Sequence, residues 1–570
     1  MNGNSEIESS LDIVDLYDNP RFVALYYTWG PPTAEAGIRG VTDVPSHPIR
    51  CNGRVILVTQ NLHDFLQRVA RSVELNSQNF WIDAVCINQQ DLAERASQVK
   101  FMATIYRSAD MVLAWLGEED VHTEKSFTLI KGLGGLCHDY YSLDVPKMKK
   151  TENFAAVLSS LADEQVRDSF RHFWRRVYFK RAWIIQELAL AKKVVAYCGG
   201  YSVEWMDIVG VSAFLTLTSW GHFLNMGSSK EGWAFLYTLT RGREFQSSDP
   251  RDKVYALLGL QEHYTKDKPR LRPTYGEFSV VATFTKAAIQ ILEDTDDLLL
   301  LGHGEGKDFQ RVKGLPSWVP DWSCTKILGL GMIGYKRFAA AGNLPRSLGI
   351  DEPNTALILR GFCLDLARHF FPKWMAILST LPDIYHTKQS KFEVFWRTLI
   401  TDTAGRAPQR GTYPAAQEFK AAFHHWVIGI IRQWEGQPPS VERDSFLQGL
   451  YQLASPHETE SAGYLPLKNS ENSTQPVNGD LLEAAEYSAL LRYSSQTRLL
   501  RTSAGYLGLA TTSVREGDSV WIVSGSRVPL ILRETGKKSQ YQLVGGAYIH
   551  GFMQGEALMA GHIFEEFKVV

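Results

Sequence analysis

An alternation of apolar and amphipathic segments between residues 79 and 117 most constrains the fold of this chain. The segment "FWIDAVCI" is β-branched and aromatic without polar alternation, which predicts a strand buried on both faces of a sheet. Asp91 and Glu94 then form a D-x-x-E start, and an apolar stripe that includes Tyr106 predicts a helix beginning at about Asp91. The run "MVLAWLG", residues 111–117, predicts another buried strand. Strand, helix and strand in this order indicate a parallel α/β unit.

The neighbouring segments extend this pattern. Residues 20–30 and 52–60 contain short β-rich runs, and residues 61–74 space their apolar side chains at helical intervals. Residues 181–200 are typical of a helix followed by a strand, and residues 249–260 of a turn followed by a short helix. In parallel sheets, ligands bind beyond the carboxyl ends of the strands. The sequence therefore predicts ligand-binding residues after the strand at "FWI", namely Asp83, Asn88 and Gln89.

The chain has 570 residues, which is too long for one ordinary core and predicts two or three domains. We assign residues 1–18 to a flexible tail, 19–262 to the α/β domain, 263–454 to a mostly helical middle region and 455–480 to a polar linker or long loop. Residues 481–570 pack short β-runs between Gly, Asp and Ser turns, which predicts a small β-barrel or curled sheet.

Composition and motifs exclude several classes of function. The 60 basic and 62 acidic residues give a net charge of -2, so no global field favours nucleic acid or an anionic membrane. No window reaches the ~18 apolar residues of a membrane span and no signal sequence is visible, which predicts a cytoplasmic protein. The six cysteines lack zinc-ligand spacing, and phosphate-loop, GxSxG and HExxH motifs are missing, so we expect no metal and no required cofactor.

Two carboxylates remain as candidates for chemistry. A carboxylate near the end of a buried strand needs a partner or a purpose, because burying it unpaired is costly. For Asp83 the structural alternative is to cap the next loop or to pair with Arg95 or Arg181. Glu187 lies beside Gln186 in the apolar helix start "WIIQEL", where it is either an acid of raised pKa, an anchor for a ribose, or one end of a salt bridge.

Read together, several strings resemble one family. "RFVALYYTWG", "WIDAVCINQ", "RAWIIQEL" and "RDKVYALLGL" follow one another as in the fungal heterokaryon incompatibility (HET) domain family, and the similarity directly covers about residues 20–260. The resemblance implies an effector role in self/non-self recognition, with programmed cell death as its output. The family is also similar to TIR domains, which implies a TIR/flavodoxin-like parallel sheet, assembly into oligomers and, in many cases, cleavage of NAD.

The TIR similarity implies which residues form the site. It places the catalytic role on Glu187, with Trp183 as its packing neighbour and NAD as the candidate substrate, and we add Trp29, Gly30 and Gln186 to the ligand-binding set. The family usually has Ser where this chain has Tyr26, which implies altered catalysis where that position faces the cleft. Two hypotheses follow: an NAD-cleaving effector enzyme, or a non-enzymatic adaptor that signals by binding its own copies or an incompatibility partner protein.

Overall fold

The structure is a computed structural model that describes residues 7–33, 44–137, 163–214, 234–260, 271–325, 337–351, 355–370, 377–378, 380–403, 413–417, 419–436, 438–441, 444, 447–448, 450–451, 487–488, 490–491 and 497–570. The expected linker, residues 455–480, lies outside the described residues. The chain divides into two compact units, residues 1–290 (unit one) and 291–570 (unit two). Among the helices that the structure describes, none combines the length and apolar character needed to cross a membrane.

The described residues of unit one form eight strands and eleven α-helices. The strands are β1 (Glu8–Ser9), β2 (Val23–Tyr27), β3 (His47–Cys51), β4 (Arg54–Val58), β5 (Phe80–Trp81), β6 (Met111–Trp115), β7 (Val194–Cys198) and β8 (Tyr201–Glu204). The helices are α1 (Gln60–Arg71), α2 (Val73–Asn76), α3 (Asp83–Cys86), α4 (Leu92–Ser108), α5 (Thr123–Cys137), α6 (Glu164–Trp174), α7 (Trp183–Leu190), α8 (Trp205–Phe214), α9 (Ala234–Gly242), α10 (Asp252–Tyr255) and α11 (Val280–Asp294), the last of which continues past residue 290.

The central sheet of unit one has the strand order β5-β2-β6-β7-β8. The first four strands are parallel and β8 is antiparallel to β7, which confirms the predicted parallel α/β arrangement. All five residues of β2 are buried, and successive side chains point to opposite faces. Val23, Leu25 and Tyr27 share a core with α1, whereas Tyr26 faces the opposite side of the sheet.

The helix predicted to begin at about Asp91 is confirmed, but the strand predicted at "FWIDAVCI" is largely wrong. Helix α4 begins after Asp91, whose carboxylate accepts hydrogen bonds from the backbone N–H groups of Ala93 and Glu94. In "FWIDAVCI", only Phe80 and Trp81 are in the sheet, and the short helix α3 begins at Asp83. The backbone turns there because the carbonyl oxygen of Ile82 accepts the N–H groups of Val85 and Cys86, at 3.0 and 2.8 Å, in place of strand pairing.

A second, three-stranded sheet in unit one has the order β1-β3-β4. Strands β3 and β4 form an antiparallel hairpin around a turn at Asn52 and Gly53, both of which have positive φ. Strand β1, within the segment assigned to a flexible tail, pairs in parallel with β3. Ile49 and Val58 on the inner face of the hairpin join the core around α1.

Unit two is built around a β-rich module, as predicted for the C-terminal residues. Its strands are β9 (Leu348–Ile350), β10 (Leu357–Phe370), β11 (Thr497–Thr502), β12 (Leu507–Thr511), β13 (Ser519–Val523), β14 (Leu530–Glu534), β15 (Gln540–Ile549) and β16 (Glu565–Val569), and its helices are α12 (Lys391–Leu399) and α13 (Phe419–Glu435). The pairings run β11-β12-β15-β14-β13-β10, and β10 also pairs with β11, so they return to their start.

The long strand β10 was not expected from the sequence, which assigned its residues to a mostly helical region. It pairs with β9, β11, β13 and β16, so both of its edges are hydrogen-bonded along most of its length. Because β11, β13 and β16 lie far away in the sequence, the pairings that define most of β10 leave no local pattern. Buried side chains of the other strands, including Val520, Ile531 and Val544, form the core that it helps to enclose.

Candidate functional site

Five side chains meet on the face of the central sheet that carries Tyr26. Tyr26 comes from β2, Asp83 from the start of α3, Tyr106 from α4, Arg181 from the loop before α7 and Glu187 from α7 itself. We call these five residues the carboxylate cluster. Asp83 and the end of β2 lie at the carboxyl edge of the parallel sheet, where ligands bind in sheets of this kind. The cluster therefore brings together Asp83 and Glu187, the two carboxylates singled out from the sequence.

Asp83 is held by hydrogen bonds from two directions. Its Oδ2 accepts the indole Nε1–H of Trp29 at 2.9 Å, and its Oδ1 accepts the Ala84 N–H. Trp29 follows β2 directly, so this bond fixes the end of one strand to the end of its neighbour β5. Of the two basic partners considered for Asp83, Arg181 is its electrostatic neighbour. Arg95 instead lies 4.3 Å from the ring centre of Tyr275.

Glu187 is 1% exposed and lies in the interior of unit one. The hydroxyl group of Tyr106 donates a hydrogen bond to its carboxyl group. Its other oxygen, Oε2, has no hydrogen-bond partner among the residues that the structure describes. The hydroxyl groups of Tyr26 and Tyr178, both buried and both in electrostatic reach of Glu187, likewise have no partner within the described chain. Buried polar atoms without partners are uncommon and mark places where a further group can bind.

Arg181 connects the cluster to the end of β2. Its Nη1 donates a hydrogen bond to the backbone carbonyl oxygen of Tyr27, and its guanidinium lies 5.1 Å from the centre of the Tyr26 ring. That ring also packs edge-on against Tyr178, with 5.1 Å between ring centres. Tyr26 is therefore buried against the cluster and does not face solvent.

The electrostatics of the cluster make its two carboxyl groups unequal. Burial raises the pKa of Glu187 well above its ordinary value; Arg181 opposes this shift, and Asp83 adds to it. Burial also raises the pKa of Asp83, but Arg181 and the hydrogen bond from Trp29 hold this pKa down. Burial lowers the pKa of Arg181, yet its anionic neighbours more than compensate, and the net shift is upward. The arrangement thus favours a protonated Glu187 beside a permanently charged guanidinium.

Other predicted ligand-binding residues have local structural contacts. Asn88 is exposed, and its Oδ1 accepts the Gln90 N–H while its own N–H donates to Glu94. The Gln89 side chain donates to the backbone carbonyl of Asp83 at 2.9 Å. Gly30 accepts a hydrogen bond from the hydroxyl of Thr28, two residues earlier. These contacts shape the loops around Asp83 and Trp29, and only Trp29 among them bonds a carboxylate of the cluster.

Gln186 and Trp183 face away from the cluster, toward the segment "DPRDKVYALLGL". The Oε1 atom of Gln186 accepts the Gly259 N–H at 3.1 Å. Trp183 donates a hydrogen bond to Asp252, which also accepts one from the Tyr275 hydroxyl at 2.6 Å. Helix α7 therefore directs Glu187 toward the carboxylate cluster. On its other side, Trp183 and Gln186 contact residues 249–260.

Sequence reasoning singled out Tyr26 but missed Tyr106 and one asparagine. Tyr106 was taken as a member of an apolar stripe, and its hydroxyl gave no separate signal. Asn61 is 2% exposed; its Nδ2 donates to Thr28 O at 2.8 Å, and its Oδ1 accepts the Trp115 Nε1–H at 3.0 Å. This side chain ties α1 to the ends of β2 and β6. A buried polar residue at the start of an otherwise amphipathic helix is the signal that would have found it.

Comparisons with known proteins agree with these motifs. The family model described as heterokaryon incompatibility protein (HET) matches residues 22–187, a range that contains the whole carboxylate cluster. The model described as Het-6 beta-barrel domain matches residues 378–569. Heterokaryon incompatibility protein 6, OR allele, of Neurospora crassa is 24% identical to this chain, over 94% of this chain and 90% of the relative. No solved structure shows a significant match to the chain.

The two matched ranges do not overlap and together span more than half of the 570 residues. The motifs "YYTWG" and "WIDAVCINQ" lie inside the first range, which ends within "RAWIIQEL" at Glu187, and strands β11 to β16 lie inside the second. The Neurospora crassa relative is similar across both ranges and the residues between them. The chain therefore contains a heterokaryon incompatibility (HET) domain at residues 22–187, and its residues 378–569 match the Het-6 beta-barrel domain.

Proposed function

We propose that this chain is an effector of fungal self/non-self recognition that triggers cell death, and that the carboxylate cluster is its working site. The family match and the long similarity to a Neurospora crassa incompatibility protein support the effector role. We further propose that the reaction is cleavage of the bond between nicotinamide and ribose in NAD. The observation that carries this reaction is the pair of unequal carboxyl groups, Asp83 and Glu187, on either side of Arg181.

The proposed chemistry uses each carboxyl group differently. The bond between ribose C1 and the pyridinium nitrogen breaks with its electron pair going to nitrogen, so nicotinamide leaves as a neutral molecule and positive charge develops on the ribose. The Asp83 carboxylate stabilises this oxocarbenium-like state, as carboxylates do in glycoside cleavage. Glu187, with its free Oε2, hydrogen-bonds a ribose hydroxyl. Water then adds to C1 and releases a proton, which gives ADP-ribose.

The test is nicotinamide release from NAD by the purified full chain at high protein concentration, followed by chromatography. We expect release by the wild type and a loss of at least about 100-fold in Glu187→Gln and Asp83→Asn, the range typical of removing a group that acts in the transition state. Glu74→Gln, which alters an exposed carboxylate, is the matched control and should behave as wild type. Circular dichroism verifies that each variant is folded.

One observation favours a non-enzymatic adaptor as the second candidate. Glu187 is 1% exposed and its contacts are internal, so in this conformation a substrate reaches it only after Arg181 or Tyr26 moves. In the adaptor, the cluster holds β2, α4 and α7 in register, and the surface of the folded unit binds further copies or an incompatibility partner protein. Absence of nicotinamide release by a folded, self-associating wild-type chain would favour the adaptor and reject NAD cleavage.

A further inference from the structure

Residues 7–20, which we call the N-terminal strap, are fixed to unit one by their first residues. Strand β1 pairs Glu8 with Arg50 and Ser9 with Cys51. The backbone N–H of Arg50 donates to Ile7 O at 2.9 Å, and that of Asn52 donates to Ser9 O at 3.1 Å. The side chain of Ile7 packs on the core around α1. The strap therefore starts as part of the small sheet.

The rest of the strap keeps a defined conformation through side-chain clamps. Asn52 holds Leu11 from both sides, because its Oδ1 accepts the Leu11 N–H and its Nδ2 donates to Leu11 O, both at 3.0 Å. Asp15 accepts the Tyr17 N–H at 2.9 Å and begins a short 3-10 helix, Leu16–Asp18. Asn19 ends that helix in the left-handed conformation with φ 51°. These contacts order the backbone without covering its apolar side chains.

Four large apolar side chains of the strap are exposed to solvent. The exposed fractions are 40% for Leu11, 102% for Ile13, 59% for Val14 and 94% for Tyr17. Single exposed apolar residues are ordinary, but a run of four within seven residues on an ordered backbone is typical of a binding surface. Ile13 and Tyr17 in particular contribute almost no buried area to the stability of unit one, because they are 102% and 94% exposed.

The charges of the strap indicate the chemistry of its partner. Glu8, Asp12, Asp15 and Asp18 are all exposed, and residues 7–20 contain no Lys, Arg or His. An acidic surface repels nucleic acid and anionic lipid, so neither is a suitable partner. It attracts a protein surface on which lysine and arginine residues border an apolar groove.

We propose that the N-terminal strap is a docking segment that inserts Leu11, Ile13, Val14 and Tyr17 into an apolar groove of another protein, with a basic border that faces its carboxylates. The segment is already ordered, so docking avoids much of the entropy that an unstructured peptide loses on binding. Tyr17 combines a large apolar area with a hydroxyl group, a property of residues that contribute strongly to interfaces. The proposal concerns exposed side chains that are not part of the carboxylate cluster, and it stands whether or not that cluster cleaves NAD.

The partner is identified by photo-crosslinking and then measured with purified proteins. The full chain carries p-benzoyl-phenylalanine at Tyr17, or at Val121 as a control, since Val121 is 86% exposed elsewhere in unit one. The chain is irradiated inside the cells that normally make it. We expect a crosslinked protein specific to position 17. The protein identified in this way is then purified without the crosslink. It should bind the wild-type chain with an affinity that falls as the salt concentration rises.

Substitutions then test which side chains bind that protein. Ile13→Ser with Tyr17→Ser should weaken binding by roughly 100-fold, because each anchor removed from an interface centre typically lowers affinity about tenfold or more. Asp12→Asn with Asp18→Asn should mainly slow association and reduce its salt dependence. Met559→Ser with Ile563→Ser alters side chains that are 91% and 88% exposed in unit two and should have no effect.

Three results would overturn the proposal. Equal crosslinking from positions 17 and 121 would show that the strap has no specific partner. A crosslinked dimer of the chain would show that a second copy occupies it. Binding that is insensitive to the serine substitutions, with circular dichroism unchanged, would show that these apolar side chains do not contact the captured protein.

Discussion

At the scale of single residues, the carboxylate cluster holds the buried Glu187 beside Asp83 and Arg181, which are half-buried. Removing charges from water is costly, and a neighbouring opposite charge compensates only in part. Here Arg181 is the neighbouring positive charge for both carboxyl groups. Burial raises the pKa of Glu187, so Glu187 is the carboxyl group that takes up a proton. Such shifted groups are concentrated at functional sites. Their effect on folding can be measured independently of any reaction.

Glu187→Gln is expected to change the pH dependence of stability. The pKa of Glu187 is higher in the folded chain than in the unfolded chain, so the wild type has its full stability below the ordinary glutamate pKa of 4.5 and loses stability as the pH rises toward the folded value. Glutamine does not ionise and can still accept the Tyr106 hydrogen bond. Measured by thermal unfolding from pH 4 to 8, the melting temperature of the variant minus that of the wild type should increase with pH. A difference that stays constant over this range contradicts a raised pKa.

Asn61→Ala is expected to destabilise unit one by roughly 2–4 kcal/mol. The substitution leaves the buried Trp115 Nε1–H and the Thr28 carbonyl without their partner, and each such group typically costs about 1–3 kcal/mol. Urea unfolding followed by tryptophan fluorescence measures the change. Asn79→Ala is the control, since Asn79 is exposed and its side chain makes one 3.4 Å bond; its effect should stay within about 0.5 kcal/mol.

At the scale of helices and strands, the parallel α/β order was predictable because hydrophobic periodicity is a local property. Strand β6, the start of α4 at Asp91 and the end of β2 all follow from runs of five to seventeen residues. The break in "FWIDAVCI" was not predictable, since its continuous apolar run gives no local signal for the helical turn that Ile82 begins. The site was predictable in the same limited sense: both carboxylates and Tyr26 were singled out, and the role of the Tyr106 hydroxyl was not.

Gly259→Ala tests the contact between α7 and the "RDKVYALLGL" motif. A Cβ atom at Gly259 would lie 2.7 Å from the Cβ of Ala103, which has no flexible end, and 2.7 Å from the Cδ of Gln186. The end of the Gln186 side chain is held by its hydrogen bond from the Gly259 N–H, so moving it away breaks that bond. We expect a loss of about 1–3 kcal/mol in the free energy of unfolding, as for other overpacked sites. Gly276→Ala is the control, because a Cβ there meets no atom within 4 Å. Equal effects of both substitutions would exclude tight packing as the reason for glycine at position 259.

At the scale of the whole molecule, the described residues form two units that each have their own buried core. The sequence predicted more than one domain and a β-rich C-terminal module. It could not predict that residues 357–370 contribute the strand that closes the ring of pairings, because strand partners more than 100 residues apart leave no periodic signal.

Ile531→Ala is expected to destabilise unit two by about 2–5 kcal/mol, the usual range for removing a fully buried isoleucine side chain. Ile531 is 0% exposed and lies in the core that includes Val520 and Val544. Urea unfolding combined with hydrogen exchange of the unit-two strands measures the loss. Ile563→Ala, at an 88% exposed position in the same unit, is the control and should change the free energy of unfolding by less than about 0.5 kcal/mol.

The four pairings of β10 have a consequence for synthesis on the ribosome. Residues 357–370 emerge while β11, β13 and β16, which begin at residues 497, 519 and 565, are still untranslated. At roughly 5–20 residues per second, the nascent chain carries this fourteen-residue strand for several seconds with most of its backbone groups unpaired. Unpaired strands of this kind readily pair with other chains. During that interval, β10 is protected by a chaperone or by helical neighbours that are already made. This protection, rather than the final stability of unit two, determines how much of the protein folds.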